Sequence, residues 1–290
     1  MEISQGAYEN TAGKYDNGIG ALLARPYMLQ IAGFRGKVPM EIDKGEYVVK
    51  TAENEFELEQ ALRLRHDVFI VELLGRKKLF GIDIDRYDMM CDHLMVVDKL
   101  SGACVGTYRL NSNLYSTDFY SESEFHLGTF PKLEGRKLEI GRACIRKDLR
   151  KSNMMGLLWE GIYAYMGKIG AQYVFGCSSI MTTEPLEIAL AYRYLKDSGF
   201  HTDELGIQPR KKYAMKVTPA AQRVIDLMGP EAIKQAAGKL IPRLIVDYLK
   251  FGARVCGEPA VDKNFRCADV FTVLDLGNLN NSYKEARFVK

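Results

Sequence analysis

The chain has 290 residues, 47% of them hydrophobic and 27% charged, and its formal net charge is +3. This composition is ordinary for a globular protein, and the small charge argues against a dedicated nucleic-acid-binding protein. The basic residues form short runs, which are most often solvated surface, although three together could dock an acidic partner. These runs are Arg76 to Lys78, Arg146 to Lys151 and Arg210 to Lys212.

Six cysteines are scattered along the chain without a CxxC pair or a histidine at ligand spacing. This spacing argues against zinc, and we expect no metal. No apolar run reaches the roughly 18 residues of a membrane-spanning helix, and the N-terminus lacks a signal-peptide pattern. We therefore expect a reduced, cytoplasmic protein with at most a peripheral contact to the inner membrane face.

The first predicted elements are a strand and a helix. Residues 1 to about 45 are polar and glycine-rich, which predicts an extension with little regular structure. Glu46 to Ala52 is typical of a strand, and a helix follows from about Glu53, with apolar residues at steps of three and four. Arg65 lies on that apolar stripe, either as a functional charge or as an arginine whose stem covers the edge of the stripe.

A β-hairpin is predicted next, from the strand-like runs HLMVVD and ACVGTYRLN around a Ser-Gly turn. Arg109 lies on the second of these strands. An acidic loop leads into the hairpin and contains Asp83, Asp85 and Asp88. A mostly polar connection from Asn111 to Arg136 follows it.

The second half of the chain alternates strands with helices. LEIGRACI is a strand, a helix runs from about Asn153 to Gly170, QYVFGCSS is a strand, a helix begins near Thr183, and KYAMKV is a closing strand. This order predicts an α/β (α+β) fold, a mixed β-sheet flanked by helices. We divide the chain into an extension (1–45), a central domain (46–217) and a largely helical C-terminal extension packed on it (218–290), with a late strand, ADVFTVLDL.

Two charged residues, Glu139 and Arg142, lie on the strand LEIGRACI, where an unpaired buried charge is costly. Residues three apart on a regular strand face opposite sides of the sheet, but Gly141 between them favours a β-bulge that resets the alternation. A bulge would also release a backbone N–H able to stabilise an oxyanion. The alternative is a buried Glu–Arg pair that holds the strand in register.

A basic loop, KDLRKSNMMG, joins this strand to the following helix. Phosphate binds readily at helix N-termini because free N–H groups and the positive end of the helix dipole meet there. Arg146 and Arg150 would strengthen that hold. The sequence therefore predicts an anion-binding loop.

Several of these segments together resemble the acyl-homoserine lactone synthase branch of the GNAT superfamily: LRLRHDVFIVE, DIDRYDMMCDHLMVVD, GTYRL and LEIGRACI. The resemblance implies a GNAT-type three-layer fold and a set of site residues. These are Arg65, Phe69, Asp85, Asp88, Arg109, Glu139 and Arg142. The tryptophan that those synthases place shortly after the equivalent of Phe69 is missing here, which weighs against lactone formation.

The C-terminal segment YLKFGARVCGEPAVDKNFRCADVFTVLDL, together with FGCSS, resembles ornithine-lipid-forming N-acyltransferases and their hemolysin-like relatives. This resemblance implies an enzyme that moves a fatty acyl chain, typically 3-hydroxylated, from acyl carrier protein to the α-amine of an amino acid. Ornithine is the expected acceptor and a lyso-aminolipid the product. No cofactor is expected to be bound permanently.

The donor is expected to be the acyl-phosphopantetheine of acyl carrier protein rather than acyl-coenzyme A. GNAT enzymes that use acetyl-coenzyme A carry a glycine-rich pyrophosphate loop, and the aligned residues here lack its glycines, so that the backbone is less free to wrap two phosphates. The predicted carrier-binding residues are Arg146, Arg150, Lys151, Ser152 and Asn153.

The implied reaction is aminolysis of a thioester, with Glu139 as the general base, directly or through a water. Arg142 and Arg109 would bind the amino-acid carboxylate or pantetheine oxygens, or keep Glu139 ionised. Asp85 and Asp88 are either partners of Arg65, the favoured interpretation, or counter-charges for a substrate ammonium. Cys177 offers an acyl-cysteine route, but a buried structural thiol is the favoured interpretation.

Three other functions remain open at this point. The enzyme could acylate glycine, serine or tyrosine instead, because nothing in the sequence reports the acceptor side chain. It could also make an acyl-homoserine lactone. A non-catalytic module that binds acyl carrier protein or lipid is the third, although such a module has no use for a base at Glu139.

Overall fold

The computed structural model describes residues 29–278, which form two compact units. Unit 1 comprises residues 29–111 and 142–169, and unit 2 comprises 112–141 and 170–278. The chain passes from one unit to the other within a single strand, between Gly141 and Arg142. These divisions do not coincide with the predicted boundaries at residues 45 and 217. Most of the predicted N-terminal extension, residues 1–28, lies outside the described residues.

Unit 1 is built on an antiparallel sheet in the order β1-β2-β3-β4. Its strands are β1 (Glu41–Lys44), β2 (Tyr47–Thr51), β3 (Asp92–Asp98) and β4 (Cys104–Ser112). The predicted hairpin is β3–β4, and Gly102 takes the left-handed φ of 67° at its turn. The prediction of little regular structure up to residue 45 was wrong for β1, a short and largely exposed strand whose sequence EIDK gives almost no hydrophobic signal.

The helices of unit 1 are α1 (Glu55–Arg65) and α2 (Met154–Ile169). Asn54 caps α1, because its side chain accepts the backbone N–H groups of Phe56 and Glu57. The helix continues as π-helical turns over His66–Leu73. The buried face of α1 packs in one apolar core with a residue of β3, Met95, and a residue of the acidic loop, Ile82. The helix contributes Leu58, Ala61 and Leu62 to this core.

Unit 2 has a mixed sheet in the order β6-β7-β11-β10-β8. The strands are β6 (Arg136–Ile145, its first six residues in unit 2), β7 (Ala171–Ile180), β8 (His201–Thr202), β10 (Arg254–Asp262) and β11 (Cys267–Asp275). β7 runs parallel to β6 and antiparallel to β11. A separate pair joins β5 (Phe125–His126) to β9 (Gln208–Pro209).

Four helices belong to unit 2: α3 (Pro185–Asp197), α4 (Pro219–Leu227), α5 (Pro230–Leu240) and α6 (Arg243–Lys250). α3, α5 and α6 pack on the sheet through one apolar cluster, which includes Leu195, Ala237, Ile245 and Val270. Together with unit 1, this arrangement confirms the predicted mixed α/β fold flanked by helices. Among residues 29–278, no helix combines the length and hydropathy needed to cross a membrane.

Two strand assignments in unit 2 differ from the sequence analysis. KYAMKV is not a strand, because it contributes only one bridge, between Ala214 and Ala260. β10 was missed because Gly257 and Pro259 interrupt its apolar run, and both are breakers in a regular strand. The structure accommodates them in a register shift between Cys256 and Ala260, a bulge in the pairing with β11.

Candidate active site

Three arginines and three aspartates meet in unit 1. Arg65 closes α1, Arg109 lies on β4 and Arg142 on the end of β6. The aspartates come from the acidic loop between α1 and β3: Asp83, Asp85 and Asp88. The structure therefore brings together most of the residues that the lactone-synthase resemblance had named.

Arg65 is 1% exposed and is held by two carboxylates. Its Nη1 lies 2.6 Å from Asp88 Oδ1, and its Nη2 lies 2.8 Å from Asp83 Oδ2. Asp83 also accepts Lys78 Nζ at 2.9 Å. Arg65 therefore ties the end of α1 to the acidic loop, with each guanidinium edge directed at a different carboxylate.

Asp85 binds the other two arginines rather than Arg65, which corrects half of the favoured pairing. Arg109 Nη1 lies 2.7 Å from both oxygens of Asp85 and 3.0 Å from Asp88 Oδ1. Arg142 Nη2 lies 3.1 Å from Asp85 Oδ2. Asp88, which does pair with Arg65 as expected, thus bridges two arginines at the centre of the cluster.

The arginines keep the three aspartates ionised. Burial alone would raise the pKa of Asp83 and Asp85, but the neighbouring guanidinium groups outweigh it and hold both values well below the usual range. The pKa of Asp88 is lowered in the same way, chiefly by Arg65 and Arg109. Since every carboxylate is already neutralised by protein cations, the cluster is a poor counter-charge for a substrate ammonium.

His93 begins β3 beneath this cluster and is neutral. Its Nε2 lies 3.0 Å from the backbone oxygen of Asp88. Burial, with the charge of Arg65, lowers its pKa to about 4 despite the nearby carboxylate of Asp88. His93 therefore has a structural role and adds no charge at neutral pH.

Arg142 has a backbone conformation that is unusual within a strand. Its φ is +54°, in the left-handed region that residues other than glycine rarely adopt. The paired register of β6 with β7 runs from Arg136 to Glu139 and does not extend to Gly141. The bulge predicted at Gly141 stays a prediction, and the left-handed residue is Arg142, whose guanidinium carbon lies 5.9 Å from the ring centre of Phe69.

Glu139 lies in unit 2 and is 6% exposed. Its Oε2 accepts the backbone N–H of Tyr120 at 2.8 Å, and its Oε1 accepts the backbone N–H and the hydroxyl of Ser121 at 2.7 and 2.6 Å. Both oxygens therefore have donors that stabilise the charged form. The carboxylate fixes the start of the 3-10 turn Tyr120–Ser123 and holds it beside β6.

Cys177 is a poor nucleophile. Burial raises the pKa of its thiol well above the usual range, and the charges of Glu124, Asp269 and Glu139 add to that effect. Its Sγ lies 3.5 Å from Ser121 Oγ. Because the thiolate is the reacting form, the structure supports the interpretation of Cys177 as a structural thiol.

The predicted anion-binding loop precedes α2, and its arginines already contact carboxylates. Arg146 Nε lies 2.8 Å from Asp148 Oδ1, and Arg150 Nη2 lies 2.6 Å from Glu72 Oε2. Ser152 Oγ donates to the backbone oxygen of Leu149 at 2.6 Å. Lys151 and Asn153 are exposed, and Asn153 accepts the N–H of Leu157 at the helix start. A phosphate bound at this loop would compete with the carboxylates of Asp148 and Glu72 for the two arginines.

A second acidic cluster, in unit 2, was not found from the sequence. Glu124, Asp262 and Asp269 each place one oxygen within 4.8 Å of the others, and all three residues are buried. A signal for it was present, because Asp269 stands within the apolar strand ADVFTV just as Glu139 stands within LEIGRACI. Which other acids join it depends on long-range strand pairing, which the local pattern does not report.

Comparison with known proteins shows which family the chain belongs to. A family model described as an acetyltransferase (GNAT) domain matches residues 64–160. An L-ornithine N(alpha)-acyltransferase from Rhizobium meliloti (strain 1021) is 34% identical over 252 residues, covering 81% of each chain. A protein of the same name from Brucella abortus (strain 2308) is 30% identical over 257 residues, covering 82% of this chain and 88% of that one.

Among solved structures, a coenzyme A-dependent acyl-homoserine lactone synthase, BjaI, is similar with a TM-score of 0.41 and 15% identity. The similarity covers 76% of this chain and 75% of that one. The sequence relatives are far more similar, and they confirm the predicted resemblance and the assignment as an acyltransferase. With 34% identity across four fifths of both chains, the chain belongs to the L-ornithine N(alpha)-acyltransferase family of GNAT acyltransferases.

Proposed function

We propose that the chain transfers a fatty acyl group, typically 3-hydroxylated, from acyl carrier protein to the α-amine of ornithine, and so forms a lyso-aminolipid. The choice of ornithine as the acceptor is supported by the 34% identity, over 81% of both chains, to an L-ornithine N(alpha)-acyltransferase. The carrier-protein donor is supported by the loop at Arg150–Met155, which lacks the glycines of a coenzyme A pyrophosphate loop.

In the proposed reaction the amine nitrogen attacks the thioester carbonyl carbon, the carbon–sulfur bond breaks, and the amine proton ends on the released thiol. Glu139 is the proposed general base, because it is a buried carboxylate held in place by three hydrogen bonds. A base positioned in this way typically contributes about 10²- to 10⁴-fold in rate. The carboxylate would take the proton directly or through a water.

The arginines of unit 1 are the proposed anion-binding groups. Arg142 is the one most accessible to a substrate, with its side chain 13% exposed against 1% for Arg65 and 5% for Arg109. We assign it to the amino-acid carboxylate or to pantetheine oxygens, with Phe69 beside it. Arg109, Asp85 and Asp88 would hold it in position, and Arg65 would fix the loop that carries both aspartates.

The proposed carrier protein docks on exposed basic residues. In unit 1 these are Arg76 to Lys78 and the loop with Arg146, Arg150 and Lys151. An acidic carrier would supply the carboxylates and phosphate that these side chains attract. We also propose that the enzyme acts at the cytoplasmic membrane surface, where its product resides, and the exposed Val224 and Leu227 on α4 suit such a contact.

The test is product analysis by mass spectrometry with purified protein. The donors are 3-hydroxyacyl carrier protein and the matching acyl-coenzyme A, and the acceptors are ornithine and all standard amino acids. We expect a single N-acylornithine product, faster with the carrier protein. Acylation of glycine, serine or tyrosine instead would reassign the acceptor, and detection of a lactone would reassign the reaction.

Variants connect the product to the proposed base. Glu139→Gln should lower kcat by at least about 100-fold, whereas Glu204→Gln, an exposed substitution in the same unit, should not. Full activity in Glu139→Gln would end its assignment as the base. Absence of any product, together with tight binding of the acylated carrier, would favour the binding-module function.

A further inference from the structure

The buried carboxyl cluster of unit 2 lies on one face of its sheet. Asp269 is paired with Ser179 across β11 and β7, and Asp262 is paired with Cys267 across β10 and β11. Glu124 reaches the same place from the end of the 3-10 turn Tyr120–Ser123. The exposed fractions of the three acids are 1% for Glu124 and 4% for each aspartate, so the cluster is shielded from water.

No cation neutralises this cluster within the described part of the chain. None of the lysines, arginines and histidines among residues 29–278 forms an ion pair with Glu124, Asp262 or Asp269. Glu124 Oε2 is buried and accepts no N–H or hydroxyl group of the described residues, and the carboxyls of Glu124 and Asp269 are in hydrogen-bond contact with each other. Burying several carboxylates without a counter-charge is strongly unfavourable. The cluster must therefore hold protons or take up a cation.

The pattern of hydrogen bonds leaves one side of each carboxyl directed at the cluster. Glu124 Oε1 accepts the hydroxyl of Tyr120 at 2.7 Å, Asp269 Oδ1 accepts that of Ser179 at 2.5 Å, and Asp262 Oδ1 accepts the N–H of Asn264 at 2.7 Å. The second oxygen of Asp269 accepts the thiol of Cys267 at 3.6 Å, and the Asp269 carboxyl is also in hydrogen-bond contact with Glu124. Three acceptor oxygens are thus presented from three directions.

Three acceptors match the three N–H donors of a primary ammonium group. The cluster oxygens lie within 4.8 Å of one another, close enough for one nitrogen to reach all three at hydrogen-bond distance. A magnesium or calcium ion prefers six or more oxygens, whereas here the outer oxygens already accept protein donors. The geometry favours an ammonium group over a metal ion.

The cluster is also linked to the proposed base. Tyr120 donates its backbone N–H to Glu139 and its hydroxyl to Glu124. The charges of Glu124, Asp269 and Glu139 all contribute to raising the pKa of the Cys177 thiol, so these three carboxyls lie near one side chain. Ser179, which contacts Asp269, is exposed, and Cys177 is half-buried. A substrate could therefore reach the cluster along β7.

We propose that Glu124, Asp262 and Asp269 bind the side-chain ammonium of a diamino-acid acceptor and thereby select ornithine over acceptors that lack this charge. The inference rests on the proposed function, and it adds the residues that decide the acceptor. Hydrogen bonds to a charged group are stronger than those between neutral groups. An acceptor of the same length without the ammonium should therefore lose about 100-fold in kcat/KM.

The test compares ornithine with norvaline, which has the same carbon chain without the δ-amine. Values of kcat/KM are measured for both acceptors with the wild-type enzyme, Glu124→Gln, Asp269→Asn and the control Glu204→Gln. We expect an ornithine preference of about 100-fold in the wild-type and control enzymes. In the two cluster variants we expect the ratio to fall towards one, through a higher KM for ornithine with norvaline turnover retained.

Several outcomes would overturn the inference. The ratio of kcat/KM for ornithine to that for norvaline could be unchanged in both variants, or near one in the wild-type enzyme. Either result would show that the cluster does not bind the ammonium. Calcium or magnesium found at one equivalent in the wild-type protein and lost in Asp269→Asn would make it a metal site. If one variant fails to fold, as judged by its circular dichroism, the other decides.

The proposed function can fail separately. If the wild-type enzyme acylates no amino acid, titration calorimetry with ornithine and norvaline still tests the cluster, because binding needs no acyl donor. Heat of binding with ornithine only, lost in Glu124→Gln, would support the cluster as an ammonium site while the acyl-transfer proposal fails. Equal or absent heats with both ligands would reject the site.

Discussion

Asp85 and Arg109 are joined through a single nitrogen, since both carboxylate oxygens of Asp85 lie 2.7 Å from Arg109 Nη1. Asp88 Oδ1 lies 3.0 Å from that same nitrogen. Arg109 is therefore held by two carboxylates at once, and Asp85 extends the hold to Arg142. A chain of ion pairs therefore links Arg65 to Arg142, the most accessible of the three arginines.

Asp88→Asn tests the centre of that chain. Asp88 is fully buried between Arg65 and Arg109, and removal of one partner from a buried ion pair typically destabilises a protein by about 3–5 kcal/mol. We expect a loss of that order in the free energy of unfolding, measured by urea denaturation. Asp43→Asn, which breaks an exposed pair with Lys99, should be indistinguishable from wild type. Equal losses would show that burial of the cluster does not matter.

The backbone of Arg142 predicts an unusual order of substitutions. Because its φ is +54°, glycine suits the position, and any other residue there incurs a strain of about 1–2 kcal/mol. Arg142→Gly should therefore be more stable than Arg142→Ala by about 1 kcal/mol in thermal unfolding, although both lack the guanidinium and should be equally impaired in acyl transfer. The reverse order, typical of a regular strand, would contradict the left-handed conformation.

Gly176 on β7 lies close to the backbone of β6, which leads to a prediction about its substitution. A Cβ atom at this position would lie 2.3 Å from the backbone oxygen of Ile140 on β6. Gly176→Ala should therefore force the two strands apart and lower the melting temperature by several degrees. Gly238→Ala, in α5 with nothing within 4 Å, should instead stabilise the protein by about 0.5–1 kcal/mol. A neutral Gly176→Ala would show that β6 and β7 separate easily.

Glu124 predicts a dependence of stability on pH. Burial and the neighbouring Asp269 raise its pKa to about 9, above the value near 4.3 expected when unfolded. Between those values the folded state keeps a proton that the unfolded state releases, so stability falls as the pH rises. The groups that face Glu124 are Asp262, Asp269, Tyr120 and Cys177.

Glu124→Gln should remove that slope. Its stability relative to wild type, measured by urea denaturation from pH 5 to pH 9, should improve by on the order of 1 kcal/mol per pH unit. The exposed substitution Glu204→Gln should give a curve parallel to wild type. Parallel curves for Glu124→Gln as well would show that Glu124 ionises normally and that the cluster carries no proton.

The ion pair between Glu72 and Arg150 leads to a prediction about binding of the acyl donor at the predicted anion-binding loop. Its carboxylate lies 2.6 Å from Arg150 Nη2, so it occupies the guanidinium that a phosphate would use. Glu72→Gln should lower KM for acyl carrier protein a few-fold, and Arg150→Ala should raise it, with kcat for saturating donor little changed. If neither variant changes KM in steady-state assays, the donor phosphate does not bind at Arg150.

The local sequence pattern predicted the features that depend only on residues close together in the chain. Periodicity located α1, α2 and the β3–β4 hairpin, and a charge on the apolar stripe marked Arg65 as a buried group. The prediction of its partners was only partly correct. Asp83, Asp85 and Asp88 are close in sequence, and a loop can direct any of them at Arg65. Backbone conformation, not spacing, decides that Asp85 reaches Arg109 and Arg142.

The acidic cluster of unit 2 shows where the pattern gives no information. Glu124 and Asp269 are 145 positions apart in the chain, and Asp269 meets Ser179 only because β11 pairs antiparallel with β7 in that register. A shift of one residue would turn Asp269 to the other face. The sequence shows an acid within an apolar strand, but only the strand pairing shows which acids it joins.

The position of β11 between β7 and β10 has a consequence for synthesis on the ribosome. β7 ends at Ile180 and its neighbour β11 begins at Cys267, so at about 5–20 residues per second this edge of β7 waits roughly 4–17 s for its partner. An unpaired apolar strand edge is a site of aggregation. Because β11 also brings Asp269, the nascent chain completes the centre of this sheet and its acidic cluster at the same moment.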